Sequence, residues 1–223
     1  MTASVRFGLP GVTISPGHHV CGLYSKDSER DRMMVPYFRA GLQDGDSCVV
    51  VVDDEDPSPV LAEMGTGSQV ASWRASGRLD TRTAVPPRRG TAGLNVDEML
   101  AQWDETMAEA QDPHGEGFIR LGGEASWWLP QATGGSIVGY EIELTRRIPE
   151  RIGVLCLYDL TRFGGRTLVN AIATHPLVLV GAEIIENPYY TPPEQMAERL
   201  KRGETTEGHA DEIRDRLHQV SRP

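Results

Sequence analysis

The chain has 223 residues, 39% of them hydrophobic and 24% charged, enough for one domain with a sizeable core and too few for two full ones. With Lys+Arg 22 against Asp+Glu 32 the formal net charge is -10, which repels phosphate backbones and anionic lipid and argues against direct nucleic-acid binding and a membrane-surface role. Cys21, Cys48 and Cys156 are odd in number and widely spaced, which excludes a disulfide framework; no signal-peptide pattern or run of about 18 apolar residues is present, so a cytoplasmic location is expected.

Residues 1–16 read as an N-terminal extension. Val20-Cys21-Gly22-Leu23-Tyr24 is a short apolar run followed by Ser25-Lys26-Asp27, a strand turning into a helix. That helix carries Met33, Met34, Tyr37, Phe38 and Leu42 at helical spacing, is expected to kink at Pro36 or to adjust its first turns there, and stops between Gly41 and Gly45. Cys48-Val49-Val50-Val51-Val52 opens into Asp53-Asp54-Glu55-Asp56, the pattern of a parallel strand buried on both faces. A short helix is predicted over 57–64, an ambiguous strand or irregular segment over 70–83, and a loop over 85–93. Asn95 and Glu98 form a capping pair ahead of the stripe Met99, Leu100, Trp103, Met107 and Ala110.

Further strands are predicted over 118–122 and 152–158, and helices over 136–148 and 164–174. A strand over 177–180 is followed by an antiparallel partner over 183–186, and 194–223 reads as a charged tail of solvated helices. Strands alternating with helices in this way define an α/β fold, with helices on both faces of a mostly parallel central sheet.

In an open α/β sheet the ligand crevice lies beyond the carboxyl ends of the parallel strands. The residues so placed are Tyr24, Ser25 and Lys26, then Asp53 and Asp54, then Glu124 and Trp127, and finally Asp159 and Arg162. Glu124 and Asp159 stand out as carboxylates just past buried strands and beside aromatics. Each could hold a cation or a polar ligand, or instead form a structural ion pair with Arg120 or Arg162. Trp127 could wall an apolar pocket.

His18-His19-Val20-Cys21 is the one dense group of soft ligands. Strand alternation puts His19 and Cys21 on one side, half a metal site that Cys48 or Cys156 could complete. A metal or haem at His18, His19 and Cys21 is therefore a reading to test. Lys26 and Lys201 are the only lysines and neither sits in Gly-x-x-x-x-Gly-Lys-[Ser/Thr], so there is no Walker A loop and ATP is not expected. Neither a Gly-x-Ser-x-Gly elbow nor a cysteine at a helix start is present.

His18 through Tyr24, Glu29-Arg30, Gly123-Glu124 with Trp127, Cys156-Leu157-Tyr158-Asp159, His175-Pro176 and Asn187-Pro188-Tyr189-Tyr190 together resemble the MEDS family, the methanogen/methylotroph sensory domain, over residues 17–193. The resemblance implies a RecA/KaiC-like core with a degenerate P-loop, used as an input module in signal transduction and transcription regulation. It implies a small organic ligand, and with the strand-end rule the expectation is a pocket at the carboxyl ends of the sheet, lined by Tyr24, Glu124, Trp127, Tyr158, Asp159 and Arg162, that binds without turnover. Residues 194–223 are too few and too acidic for an output domain, so a stand-alone sensor acting through a separate regulator or signalling protein is expected, with homo-oligomerisation left open. The alternatives are an enzyme using Glu124 and Asp159, as a residual nucleotide-binding hydrolase or a metal- or haem-dependent catalyst, and a protein–protein interaction module.

Overall fold

The computed structural model describes residues 4–15, 17–52, 56–83, 96–111, 117–125 and 134–202. Two short strands, β1 (Val5–Arg6) and β2 (Thr13–Ile14), pair antiparallel ahead of the main sheet. Phe7 and Ile14, at 0% and 1% exposure, are buried with them, and Phe7 packs against Tyr37 with ring centroids 4.9 Å apart. The segment read as an extension therefore contributes to the core.

The chain continues as β3 (His19–Tyr24), α1 (Asp27–Asp44), β4 (Ser47–Val52), α2 (Ser58–Met64), α3 (Gly67–Ala75), β5 (Leu79–Thr83) and α4 (Val96–Gln111). After these come β6 (Ile119–Glu124), α5 (Gly134–Arg147), β7 (Ile152–Asp159), α6 (Gly165–Thr174), β8 (Leu177–Val180), β9 (Glu183–Glu186) and α7 (Pro193–Lys201). Among the described residues the main sheet runs β5-β4-β6-β7-β3-β8-β9. Every pairing in it is parallel except the final β8–β9 hairpin. The α/β architecture read from alternating strands and helices is the one observed.

Strand alternation sorts the side chains into two layers. Val20 and Tyr24 of β3 and Leu155 and Leu157 of β7 pack with α1, α2 and the β1–β2 ribbon. Cys21, Cys156, Tyr158 and Leu121 pack with α4, α5 and α6. β7 is buried along almost its whole length, as its continuous apolar run requires.

Four local points of the sequence reading are settled. α1 runs unbroken through Pro36: the proline costs about 3 kcal/mol in a helix interior, and the buried side chains of Met33, Met34, Tyr37 and Phe38 around it outweigh that. The ambiguous stretch 70–83 resolves into α3 and β5, with α3 started by a capping box in which Thr66 and Gln69 satisfy each other's backbone amides. The tail is not wholly solvated, because α7 buries Met196 against Val138, Ile142 and Ala173. Finally, α1 closes at Gly45, one of the two glycines expected to end it, in the left-handed region at φ 89°.

Gly41 instead makes room for a buried cation. A Cβ there would stand 2.4 Å from Nε of Arg120. Arg120 is fully buried on the α1 side of β6, donating to Asp46 Oδ2 at 2.8 Å and to the Tyr37 carbonyl at 2.9 Å. Its guanidinium also lies over the Tyr37 and Phe118 rings, 5.2 and 5.8 Å from their centroids.

Candidate functional site

On the α1 side, β3 and β6 both end in polar residues, Tyr24 and Glu124, held one strand apart by β7. The Tyr24 hydroxyl donates to Glu124 Oε1 at 2.6 Å. Arg30, from the first turns of α1, places Nη1 3.3 Å from Glu124 Oε2 and donates from Nε to Asp31 Oδ1 at 2.8 Å. All three of Tyr24, Arg30 and Glu124 are buried. A carboxylate can stay buried in its charged form only with such partners.

The structural pairs considered for Glu124 and Asp159 therefore need one correction. Arg120 bonds neither carboxylate, because its side chain reaches under α1 to Asp46. Asp159 does face Arg162, with Nε 3.5 Å from Oδ2. Asp159 Oδ1 also accepts from the Thr161 amide and hydroxyl at 2.8 and 2.7 Å, so this carboxylate fixes the turn after β7.

Tyr158 does not join Tyr24 and Glu124. As the neighbour of Asp159 along β7 it points to the opposite layer, where its hydroxyl donates to Glu141 Oε1. Trp127, Asp53 and Asp54 lie outside the described residues.

The opposite layer holds a second polar group that the sequence reading only half anticipated. Among the described residues, His19, Glu141, Cys156 and His175 bring ligand atoms within 4.8 Å of one another. His19 Nε2 lies 3.2 Å from Cys156 Sγ and 3.0 Å from His175 Nε2. Both Nε2 atoms lie 3.6 Å from Glu141 Oε2. Cys21 is buried on the same face of β3 but stands outside this group. His18 is elsewhere, its Nδ1 accepting from the Ser15 amide at 3.1 Å.

Burial governs the protonation of these groups. It pushes the His175 pKa down to about 4 and that of His19 well below the ordinary value, with the neighbouring His175 adding to the effect on His19. It pushes the Glu141 pKa up to about 8 against the opposing hydrogen bond from Tyr158. The Cys156 thiol is raised well above its ordinary value by burial and then by Glu141. Without a further charge, all four groups favour their neutral forms.

Glu141, His175 and Arg30 belong to these two groups although the sequence does not single them out as site residues, and the first left a signal. Ile137, Tyr140, Glu141 and Leu144 are the buried positions on one side of α5, so a carboxylate sits in the middle of an apolar stripe. Arg30 likewise precedes Met33 and Met34 by one helical turn and shares their inward face.

A cavity of about 30 Å³ lies at the carboxyl ends of β4, β6 and β7, between the two groups. Val51, Trp103, Glu124, Tyr140 and Cys156 are among its lining residues, and the Trp103 indole donates to the Tyr140 hydroxyl. It is an aromatic-walled space with a carboxylate at its edge and room for about one or two water-sized groups. The turn from β3 to α1 is Ser25 and Lys26 alone, which leaves no glycine-rich loop to wrap a phosphate chain.

This arrangement defines a RecA/KaiC-type α/β fold whose β3–α1 turn has no glycine-rich phosphate-binding loop. The fold is similar to that of a KaiC-like protein from the hyperthermophilic archaeon Pyrococcus horikoshii, at 12% identity and a TM-score of 0.58 over 81% of each chain. The chain belongs to the MEDS family, the MEthanogen/methylotroph, DcmR Sensory domain, whose profile matches residues 18–176. It is also similar to the transcriptional repressor DcmR of Methylorubrum extorquens, 26% identical over 174 residues. That match takes in 75% of this chain and spans 61% of the length of the repressor.

Proposed function

We propose that this chain is a small-molecule sensor whose bound state is passed to a regulator of transcription or to another signalling protein. Membership of a sensory-domain family supports the sensing role, and likeness to a transcriptional repressor supports the regulatory one. The observation that carries the ligand reading is the cavity at the carboxyl ends of β4, β6 and β7, walled by Trp103 and Tyr140 and edged by Glu124. That is where open α/β sheets bind ligands, and its aromatic walls with one carboxylate at the edge suit a small organic molecule with an apolar body and one polar group, for which the cavity would have to widen. Glu124 is tied through Arg30 to α1 and through Tyr24 to β3, so a ligand that draws on this carboxylate would alter how α1 sits on the sheet.

A partner surface is supported by the sheet edge. Val180 and Ile185 of the β8–β9 hairpin are 49% and 50% exposed, and among the described residues β9 is an outermost strand that offers unpaired backbone groups.

The test is a thermal-shift screen of small alcohols, aldehydes, amines and halogenated hydrocarbons on the wild type and on Glu124→Gln. Glutamine preserves shape and an acceptor for Tyr24 but removes the charge facing Arg30. Compounds that raise the wild-type midpoint should lose at least about tenfold in affinity for the variant, the equivalent of one charge-assisted hydrogen bond. Equal affinity for both proteins would remove Glu124 from the site.

A further inference from the structure

We propose that His19, Glu141, Cys156 and His175 form a tetrahedral zinc site that pins β3, β7, α5 and the α6–β8 junction together. The proposal is independent of the ligand reading.

The hydrogen bonds around the two imidazoles fix their tautomers. His175 Nδ1 lies 2.6 Å from the Ala171 carbonyl, which can only accept, so this nitrogen carries a proton. His19 Nδ1 lies 3.0 Å from Thr145 Oγ1, whose own hydrogen is committed to the Glu141 carbonyl at 2.8 Å, so His19 is also protonated at Nδ1. Each neutral ring then presents a bare Nε2 lone pair, and the two face each other at 3.0 Å. The Cys156 thiol can offer its hydrogen to His19, and a neutral Glu141 carries its proton 3.6 Å away, beyond hydrogen-bond reach of either ring, so the contact between the two nitrogens remains repulsive. Glu141 Oε2, buried and aimed at both nitrogens from 3.6 Å, has no hydrogen-bond partner.

One divalent cation removes every one of these conflicts. It accepts both lone pairs, gives Oε2 a partner, and stabilises the thiolate and carboxylate that burial disfavours. Zinc bond lengths of about 2.0–2.3 Å place the donors of a tetrahedron about 3.2–3.7 Å apart, close to four of the six separations, 3.0, 3.2, 3.6 and 3.6 Å, while the other two, from Cys156 to Glu141 and to His175, are within 4.8 Å and would close on the ion. Two imidazoles, a thiolate and a carboxylate are a donor set that suits zinc. The outer contacts are in place as well: a carbonyl behind one imidazole, a hydroxyl behind the other, and Tyr158 on the second carboxylate oxygen. With four protein ligands and only Cys156 showing any exposure, 6% against 0% for the others, the site is closed and structural.

The decisive experiment measures metal on the whole chain, expressed with zinc and then stripped and reloaded with cobalt(II). One zinc per chain is expected, together with the intense visible bands of four-coordinate cobalt and a thiolate-to-cobalt charge-transfer band. Cys156→Ser should lose the charge-transfer band, while Cys21→Ser should keep both bands and metal. A wild-type chain that is metal-free as purified and gives only the weak spectrum of hydrated cobalt overturns the proposal, whether or not the variants fold. So does a charge-transfer band that disappears with Cys21 and survives loss of Cys156.

Discussion

Replacing Arg120 with methionine is expected to cost about 3–5 kcal/mol of folding stability, the range for removing one partner of a buried ion pair. The substitution leaves Asp46 beneath α1 with its main cation gone and strips the packing against Tyr37 and Phe118. Adding Asp46→Asn should recover part of the loss, because the residual penalty belongs to an unmatched charge.

The deficit should also depend on pH. Burial already raises the Asp46 pKa, and the hydrogen bond and charge of Arg120 hold it down. Without the arginine it rises further. A carboxyl whose folded-state pKa is raised contributes stability at low pH that is lost as the pH climbs through that value. The gap between variant and wild type should thus be widest near neutrality and narrow in acid, where Asp46 takes up a proton. Urea unfolding at the two pH values checks this, and a gap that widens in acid would refute the account of the pair.

The second large effect is expected at Gly123. Its Cβ would lie 1.9 Å from the Val51 carbonyl oxygen of β4 and 2.9 Å from the Val51 Cβ, and a paired strand backbone cannot step aside as a flexible side chain can. Gly123→Ala should cost about 4 kcal/mol or more, in the range that marks backbone-level conflict. Because Gly123 also lines the cavity, its loss should disturb the ligand region together with the fold. A variant that unfolds within about 0.5 kcal/mol of wild type, as an inert surface change would, would show that β4 and β6 can separate freely there.

The strands announced themselves where burial was complete. The valines of β4 and the run from Ile152 to Tyr158 have no solvated face, so composition alone marks them. α3 was not legible by periodicity because none of its residues is buried; its signal was the Thr66 and Gln69 pair, which fixes the start of a helix without an apolar stripe. Tyr158 and Asp159 are adjacent on β7 and face opposite layers, so strand alternation argues against one pocket that holds both.

The reading of half a metal site was limited by chain distance. His19 meets Cys156 on a neighbouring strand, but Glu141 and His175 arrive from helical segments far along the sequence. Periodicity reports which face a residue occupies and not which distant residue it meets there. In α5, however, a glutamate in the buried stripe was a detectable anomaly, since a carboxylate in a core needs a partner.

Native mass spectrometry of the purified chain, beside a denatured control, tests the sensing role most directly. After incubation with the compounds that raise the melting midpoint, the native mass should exceed the denatured mass by one small organic molecule beyond any metal, and the excess should vanish in Glu124→Gln. A native mass that never exceeds the chain plus metal, under conditions that preserve weak complexes, would contradict the assignment of this domain as a small-molecule sensor.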